Sequence, residues 1–150
     1  MFGVAGFVGT YPCKLDERGR FILPAKLREK MPGTIHITRS LVDDCLILYT
    51  EEEWKVLEEQ VRDLPTTTNR AAKNFVQVVF GQAAECELDK QGRMCLTPLL
   101  LKAAKLDKDI VLVGVGAKME IWDAQQYEAN MAELDFGEIL DGISQFGLNI

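Results

Sequence analysis

Short apolar or alternating runs, separated by turn residues, follow one another along the chain. Residues 34–40 alternate apolar and polar positions, whereas residues 45–49 and 109–113 are largely apolar. Runs of this length, bounded by turn residues, are typical of half-buried or buried strands. The hydrophobic pattern therefore predicts a fold made mainly of short strands.

Two segments carry helical periodicity instead. Thr50 precedes the first with Glu53 three residues later, which is capping-box spacing, and Pro65 ends it. Asp123 and Gln126 repeat the capping pattern before the second segment. Each helix carries one apolar face, which we expect to pack on the core or on another subunit; the faces comprise Trp54, Leu57, Val61 and Leu64 in the first, and Tyr127, Met131 and Leu134 in the second.

A third helix is predicted between these segments, at residues 66–81. Thr68 or Asn69 can cap it, and Gly81 ends it after Phe80. The segment is too apolar for a flexible linker. We therefore expect the parts of the chain on either side of it to pack together.

The phrase Cys-x-Leu-Asp-x-x-Gly-Arg occurs twice, at residues 13–20 and again 73 positions later at residues 86–93. The likeness continues beyond the phrase at the same offset, where it pairs Leu27 with Leu100, Leu46 with Met119, Leu48 with Ile121, Tyr49 with Trp122 and Trp54 with Tyr127. Each half has the same predicted order: strand, tight turn, strand, short helix, two strands and a longer helix. The chain therefore consists of two sequence repeats with the same predicted elements.

Length and composition place the chain among ordinary globular proteins. It has 150 residues, of which 47% are hydrophobic and 27% charged. No apolar run approaches the roughly 18 residues of a membrane span, and the N-terminal segment lacks the basic flank of a signal peptide. Its four scattered cysteines form no C-x-x-C pair that would start a zinc site. We expect a cytoplasmic protein with reduced cysteines and with no metal, cofactor or membrane partner.

The chain offers little with which to build an enzyme. His36 is its one histidine, in an alternating run where a solvated or cross-strand position is the simplest interpretation, and its two serines, Ser40 and Ser144, lie outside any G-x-S-x-G elbow. No phosphate-binding glycine motif is complete. Asp43 and Asp44 are typical of a hairpin turn. We predict that the protein is not an enzyme.

The repeated Asp-x-x-Gly-Arg segment has the chemistry of a hairpin tip. Gly19 and Gly92 permit the positive φ of a tight turn, and an aspartate side chain can accept backbone N–H groups and hold the turn. The paired arginine has two readings. It can staple the turn through its own aspartate, or it can contact guanine or phosphate from a rigid support. Spacing leaves both open.

Charge is distributed unevenly. The net charge is −6, but residues 119–150 hold seven acids and no lysine or arginine, so the remaining 118 residues carry a net +1. Residues 14–30 carry six basic and three acidic side chains, and residues 87–108 carry five basic and three acidic ones. Both basic clusters coincide with the repeated phrase. This indicates one basic face and one acidic end, and a basic face favours nucleic acid.

The residues 7–31, 43–54, 83–93 and 109–123 resemble the MraZ family of bacterial proteins, which carry two tandem SpoVT-AbrB repeats. We place the resemblance at residues 7–131. It implies an α+β fold, mainly β, in which two AbrB-type swapped-hairpin repeats form a pseudo-two-fold unit with packing helices. The predicted division is a first repeat with its helix at 7–65, a connecting helix at 66–81, a second repeat with its helix at 82–134, and an acidic tail at 135–150.

The resemblance also implies a function. Members of the family regulate transcription of the division and cell wall gene cluster, bind short direct repeats in double-stranded promoter DNA and assemble into rings, which implies a nucleoid-associated homo-oligomer. The family's D-x-x-x-R motif falls on Asp16 and Arg20 and on Asp89 and Arg93. We add Arg18, Lys14 and Lys90 as candidate phosphate contacts. Gln91 stands where the first turn has Arg18, so the two halves are not equivalent.

The tail at 135–150 admits two readings, docking on a neighbour through a small amphipathic helix or disorder. A competing hypothesis for the whole chain is an antitoxin-like or scaffold interaction protein, whose acidic tail holds another protein.

Overall fold

Pairs of strands alternate with one or two helices along residues 6–148, the part of the chain that the computed structural model describes. The strands are β1 (Thr10–Lys14), β2 (Arg20–Ile22), β3 (Ile35–Arg39), β4 (Leu46–Tyr49), β5 (Ala84–Cys86), β6 (Arg93–Cys95), β7 (Asp109–Gly114) and β8 (Met119–Asp123). The helices are α1 (Ala25–Arg28), α2 (Glu51–Val61), α3 (Arg70–Val79), α4 (Pro98–Ala103), α5 (Ala124–Ala132) and α6 (Phe136–Ile143), followed by a 3₁₀ turn at Ser144–Phe146. Residues 149–150 of the predicted tail, and residues 1–5 of the N-terminal segment, lie outside the described residues.

Six of these strands form one antiparallel sheet in the order β1-β7-β8-β4-β3-β5, and β2 pairs with β6 in a separate two-stranded ribbon. The first strand of each half joins the other half: β1 pairs with β7, and β5 pairs with β3. This exchange of strands is the swapped-hairpin arrangement, and the predicted α+β, mainly β fold class is confirmed.

The two halves are related by a pseudo-two-fold axis. In the ribbon, Phe21 faces Met94; in the sheet, Ile47 faces Glu120. The members of each pair are 73 positions apart, the offset of the sequence repeat. Residues that are equivalent in the two halves therefore meet each other at the axis, which passes through both pairs.

The main core lies between one face of the sheet and the layer formed by the ribbon, α1 and α4. Phe21 and Met94 point inward from the ribbon, and Leu27 and Leu100 from the two short helices, all at most 2% exposed. Burying a large apolar side chain stabilises a fold by about 1.5–3 kcal/mol. Because the ribbon supplies core residues from both halves, neither half has a complete core alone.

Helices α2, α3 and α5 lie on the opposite face of the sheet. On that face Trp54 of α2 packs against Tyr49 and Phe80, and Tyr127 of α5 packs against Trp122. The predicted apolar face of α5 is only partly covered, since Met131 is 44% exposed. Across residues 6–148 no helix combines the length and apolar composition needed to cross a bilayer.

The predicted helix caps are confirmed. Thr50 Oγ1 accepts the backbone N–H of Glu53 at 3.1 Å, and Asp123 Oδ2 accepts that of Gln126 at 3.3 Å. Of the two candidate caps for the connecting helix, Asn69 is the one used. Each capping side chain accepts a backbone N–H group that has no hydrogen-bond partner within the helix.

His36 is buried rather than solvated. It lies on the face of β3 opposite Ile35 and Ile37, its ring stacks on Trp54 with centroids 4.9 Å apart, and it is 6% exposed. Its cross-strand neighbours are Tyr49 and Glu85. The cross-strand reading is correct and the solvated reading is wrong, because α2 covers this face of the sheet.

Candidate nucleic-acid interface

The turn between β1 and β2 is held by a single carboxylate. Asp16 Oδ1 accepts the backbone N–H groups of Arg18 and Arg20, each at 2.9 Å. Arg20 Nε donates to Asp16 Oδ2 at 2.7 Å. Gly19 has φ +74°, a conformation that glycine adopts without the penalty of a Cβ atom. The motif residues therefore form one closed hydrogen-bonded unit.

The turn between β5 and β6 repeats this geometry. Asp89 Oδ1 accepts the N–H groups of Gln91 at 2.9 Å and of Arg93 at 2.8 Å, and Arg93 Nε donates to Asp89 Oδ2 at 2.7 Å. Gly92 has φ +78°. One contact is added, from Arg93 Nη2 to Gln91 Oε1 at 3.5 Å. The two turns are thus near copies in three dimensions as well as in sequence.

Both aspartates are held in their charged form. Hydrogen bonds from the Arg20 backbone, then from its side chain, hold the pKa of Asp16 below its ordinary value despite partial desolvation. Bonds from the Arg93 backbone and side chain do the same for the pKa of Asp89. The staple reading of the motif is therefore realised in both turns: each arginine is bound through Nε, and its side chain is 27% exposed at Arg20 and 33% at Arg93.

The ribbon of β2 and β6 presents one outward face, which we call the ribbon face, formed by Arg20, Ile22, Arg93 and Cys95. Arg20 lies opposite Cys95, and Ile22 lies opposite Arg93. The inward positions between them are buried core residues. Both motif arginines therefore start from the same side of a two-stranded β-ribbon, which is an element that the major groove of DNA admits.

The two turns stand at opposite ends of this ribbon. The Leu96 N–H donates to the Gly19 carbonyl at 2.9 Å, and the Leu23 N–H donates to the Gly92 carbonyl at 3.0 Å. Four residue steps at 3.3 Å each place the two ends about 13 Å apart. That length is comparable to the roughly 12 Å width of the major groove.

The three other predicted contacts lie at the two turns and at the end of β1. Arg18 and Lys90 are exposed at the two turns, and within residues 6–148 no ion pair engages either side chain. Lys14 is exposed at the end of β1, with Nζ 3.5 Å from Asp109 Oδ1. An exposed ion pair of this kind contributes little to stability, so Lys14 can exchange Asp109 for another anion at small cost.

One residue at this site was not among the sequence candidates. The guanidinium of Arg28, at the end of α1, packs directly against Gly92 of the other half. The equivalent position in the second half is Leu101, which packs against Gly19. Arg28 Nε is buried and has no hydrogen-bond partner within the described residues. Charge alone marked Arg28 as part of a basic cluster, but its place beside the second turn follows from the strand exchange.

Comparison with known proteins identifies the kind of protein that carries this site. A family model described as "MraZ protein, putative antitoxin-like" matches residues 7–75 and 79–139. The relatives named Transcriptional regulator MraZ include one from Carboxydothermus hydrogenoformans, 42% identical over 142 residues, covering 93% of this chain and 98% of the relative. Another, from Clostridium tetani, is 39% identical over 143 residues, covering 95% and 99%. One from Clostridium beijerinckii is 40% identical over 143 residues, with the same coverage.

These alignments correct the extent of the resemblance. The family match continues to residue 139, and alignments that cover 95% of the chain reach further into the tail. The expectation that the likeness stops at Met131 is therefore wrong. The amphipathic tail helix lacks the charged turn motif that marks the repeats, so no residue in it signals the likeness.

Proposed function

The chain belongs to the MraZ family of transcriptional regulators, and from this premise we propose that it regulates transcription by binding double-stranded DNA through the ribbon face. The target is a set of short direct repeats in the promoter of the division and cell wall gene cluster, so the protein acts at the nucleoid. The chemistry is recognition alone, since the family is one of regulators and not of enzymes.

The observation that carries this proposal is the paired geometry of the two turns. A ribbon with a rigid, charged turn at each end can enter the major groove while its turns contact the two flanking backbones. The bond to aspartate uses Nε in both Arg20 and Arg93, so contacts to DNA would be made through their Nη groups. We assign Arg20 and Arg93 to base contacts, and Arg18, Lys14 and Lys90 to phosphates.

Assembly completes the proposal. One ribbon offers a small contact, and several weak contacts gain affinity when they are joined in one particle. In a homo-oligomeric ring built head to tail, successive ribbons have the same orientation along the ring. Direct repeats likewise all have the same orientation along DNA. A ring therefore matches direct repeats better than an isologous dimer, which would match inverted ones.

The test is fluorescence anisotropy with a labelled duplex of promoter repeats and with a scrambled duplex, across a salt series. The informative variants are Arg18→Gln, which gives the first turn the glutamine of the second, and Gln91→Arg, which gives the second turn the arginine of the first. Both sites are exposed turn tips, so the fold should be unaffected. Lys55→Ala, an exposed lysine on α2, serves as the matched control.

Each phosphate contact contributes about 0.9 to the slope of log K against log salt. We expect Arg18→Gln to weaken binding and to reduce the slope by about 0.9 for each engaged chain, and Gln91→Arg to do the opposite. Lys55→Ala should leave both quantities unchanged. Equal binding to the repeats and to the scrambled duplex would overturn the proposal, as would a slope that neither turn variant alters.

A second candidate function, an antitoxin-like or scaffold interaction protein, is favoured by the exposed apolar side chains of the tail, among them Phe136 at 71% exposure. Its test is capture of a partner protein by the full chain and by a chain ending at residue 134. Partner binding that is lost on truncation, in a chain that binds no promoter DNA, would support this function over the first.

A further inference from the structure

Helix α6 presents an apolar stripe that the described residues leave mostly exposed. The stripe consists of Phe136, Ile139, Leu140 and Ile143, at the i, i+3, i+4 and i+7 spacing of one helix face. Phe136 is 71% exposed and Leu140 is 55% exposed. Asp135 caps the helix by accepting the N–H groups of Gly137 and Glu138. We call these four residues the tail stripe.

The exposed tail stripe distinguishes the second half of the molecule from the first. In the first half, α3 follows α2 and folds back on it, with Phe80 against Trp54 and Val79 buried. In the second half, α6 follows α5 but leaves Phe136 and Leu140 exposed. An eight-residue helix is marginal in water on its own, because its stability comes mainly from packing its apolar face. We therefore expect the tail stripe to pack against another surface.

A groove with an apolar wall lies between α2 and α3. It has a volume of about 320 Å³, and its apolar wall is formed by Val61, Leu64, Val76 and Phe80, all half-buried. An amphipathic helix laid in an apolar groove between two helices is a recurrent mode of peptide recognition, read through anchors at i, i+3, i+4 and i+7. The tail stripe has this spacing.

Two surfaces could cover the tail stripe: the groove, or the tail stripe of a second copy. Charge favours the groove. Residues 133–141 hold four acids and no basic residue, so two tails side by side would repel each other. At one end the groove continues into a polar cleft lined by residues 66–70 and Lys73, where Arg70 and Lys73 are exposed and no acid is present. The acid Glu58 lines the other part of the groove. The tail thus meets opposite charge at one end of the groove, whereas pairing of tails brings only like charge.

We infer that α6 of one copy occupies the α2–α3 groove of a second copy, with its acidic residues nearest Arg70 and Lys73. This inference rests on the proposed assembly and supplies its contact. Because tail and groove are different patches on one chain, the contact is heterologous, so each copy donates one tail and receives another. Repetition of such a contact closes a ring when the rotation permits.

The test measures molar mass by light scattering after size exclusion for the full chain and for three variants. The tail variant is Ile139→Asp with Leu140→Asp, the groove variant is Val76→Asp, and the matched control is Val42→Asp, an 88% exposed valine in the β3–β4 loop. Tail and groove variants should each fall to the 16.8 kDa of a single chain. The control should keep the mass of the assembled wild type.

Mixing the two defective chains gives the sharper result. The tail-defective chain keeps its groove and the groove-defective chain keeps its tail, so together they form one intact contact and no more. A complex of twice the single-chain mass is expected. Pairing of tails with tails would instead leave the groove variant assembled alone and give no complex on mixing, which would overturn the inference. A wild-type chain that stays monomeric at all concentrations would overturn it too.

Charge variants provide a second measurement that does not touch the apolar wall. Arg70→Glu with Lys73→Glu should weaken assembly at low salt and approach wild-type behaviour at high salt, because the attraction is screened over about 8–10 Å. An unchanged dissociation constant at low salt would contradict the proposed orientation. DNA binding by the single-chain variants at high protein concentration separates the two proposals. If these variants no longer assemble but still prefer the repeats, only the tail contact has been affected. If the chains assemble but show no preference for the repeats, only the proposal for the ribbon face is refuted.

Discussion

The buried hydroxyl of Thr38 offers a direct test of how the connecting helix is held to the sheet. Thr38 lies on β3, is 1% exposed, and its Oγ1 donates to the Val79 carbonyl at 2.6 Å. Val79 is the last residue of α3, so its carbonyl is one that the helix cannot pair internally. The substitution Thr38→Val removes this donor while keeping the shape of the side chain.

The expected cost follows from the burial of both groups. A buried acceptor that loses its partner costs about 1–3 kcal/mol, and we take about 2 kcal/mol as the central value. For a chain of this size 1 kcal/mol corresponds to about 2–4 °C in Tm, so we expect Tm to fall by about 4–8 °C. Thr67→Val, in the exposed turn before α3, is the matched control and should change stability by less than about 0.5 kcal/mol.

Thermal unfolding followed by circular dichroism gives the global effect, and amide hydrogen exchange locates it. Faster exchange should be concentrated in α3 and in the adjoining part of β3, while the ribbon at the far side of the sheet should exchange as before. If Thr38→Val matches the Thr67→Val control in Tm, the hydrogen bond contributes no net stability and the reasoning fails. Uniformly faster exchange would refute the local attachment.

Two further predictions concern the ribbon and its turns. Cys95 is exposed on the ribbon face, so repeat DNA should protect it from alkylation, whereas Cys45, whose pKa burial raises to about 12, should stay unreactive throughout; equal labelling of Cys95 with and without DNA would place the interface elsewhere. The lowered pKa values of Asp16 and Asp89 mean that their contribution to stability is complete above their ordinary value of 3.8 and is lost as pH falls through the lowered native pKa. The difference in unfolding free energy between wild type and Asp89→Asn should therefore shrink below pH 3.8, and a constant difference would show that charge plays no part.

The sequence predicts the local structure of this chain well because each element carries its own signal. Caps such as Thr50 and Asp123, and the two positive-φ glycines, depend on residues within one turn of the chain. The strand exchange is different. Alternation shows that residues 10–14 can form a strand but not that their partner is 109–114, since any strand offers the same backbone donors and acceptors. Only the repeat, read as a resemblance to a known family, indicated the exchange.

The candidate site shows the same limit. The spacing of Asp16 and Arg20 indicated a turn, and the turn is present, but spacing could not decide whether the arginine staples the turn or points away from it. The short distance from Arg20 Nε to the carboxylate of Asp16 shows that the arginine staples the turn. Arg28 was missed because its neighbour, Gly92, is 64 positions away and is brought to it only by the swapped arrangement.

Arg28 changes how the asymmetry of the two turns should be understood. Along the sequence the turns differ at two positions, because Gln91 replaces Arg18 and Lys90 replaces Glu17, so residues 16–20 carry no net charge and residues 89–93 carry +1. In three dimensions the guanidinium of Arg28 lies against Gly92, while the first turn has uncharged Leu101 at the equivalent place. Each turn therefore has one arginine besides its motif arginine, and both of these extra arginines come from the first half. The end of the ribbon at the second turn is therefore the more basic one, so it can attract a DNA backbone more strongly than the end at the first turn, and the strand exchange increases this difference between the repeats.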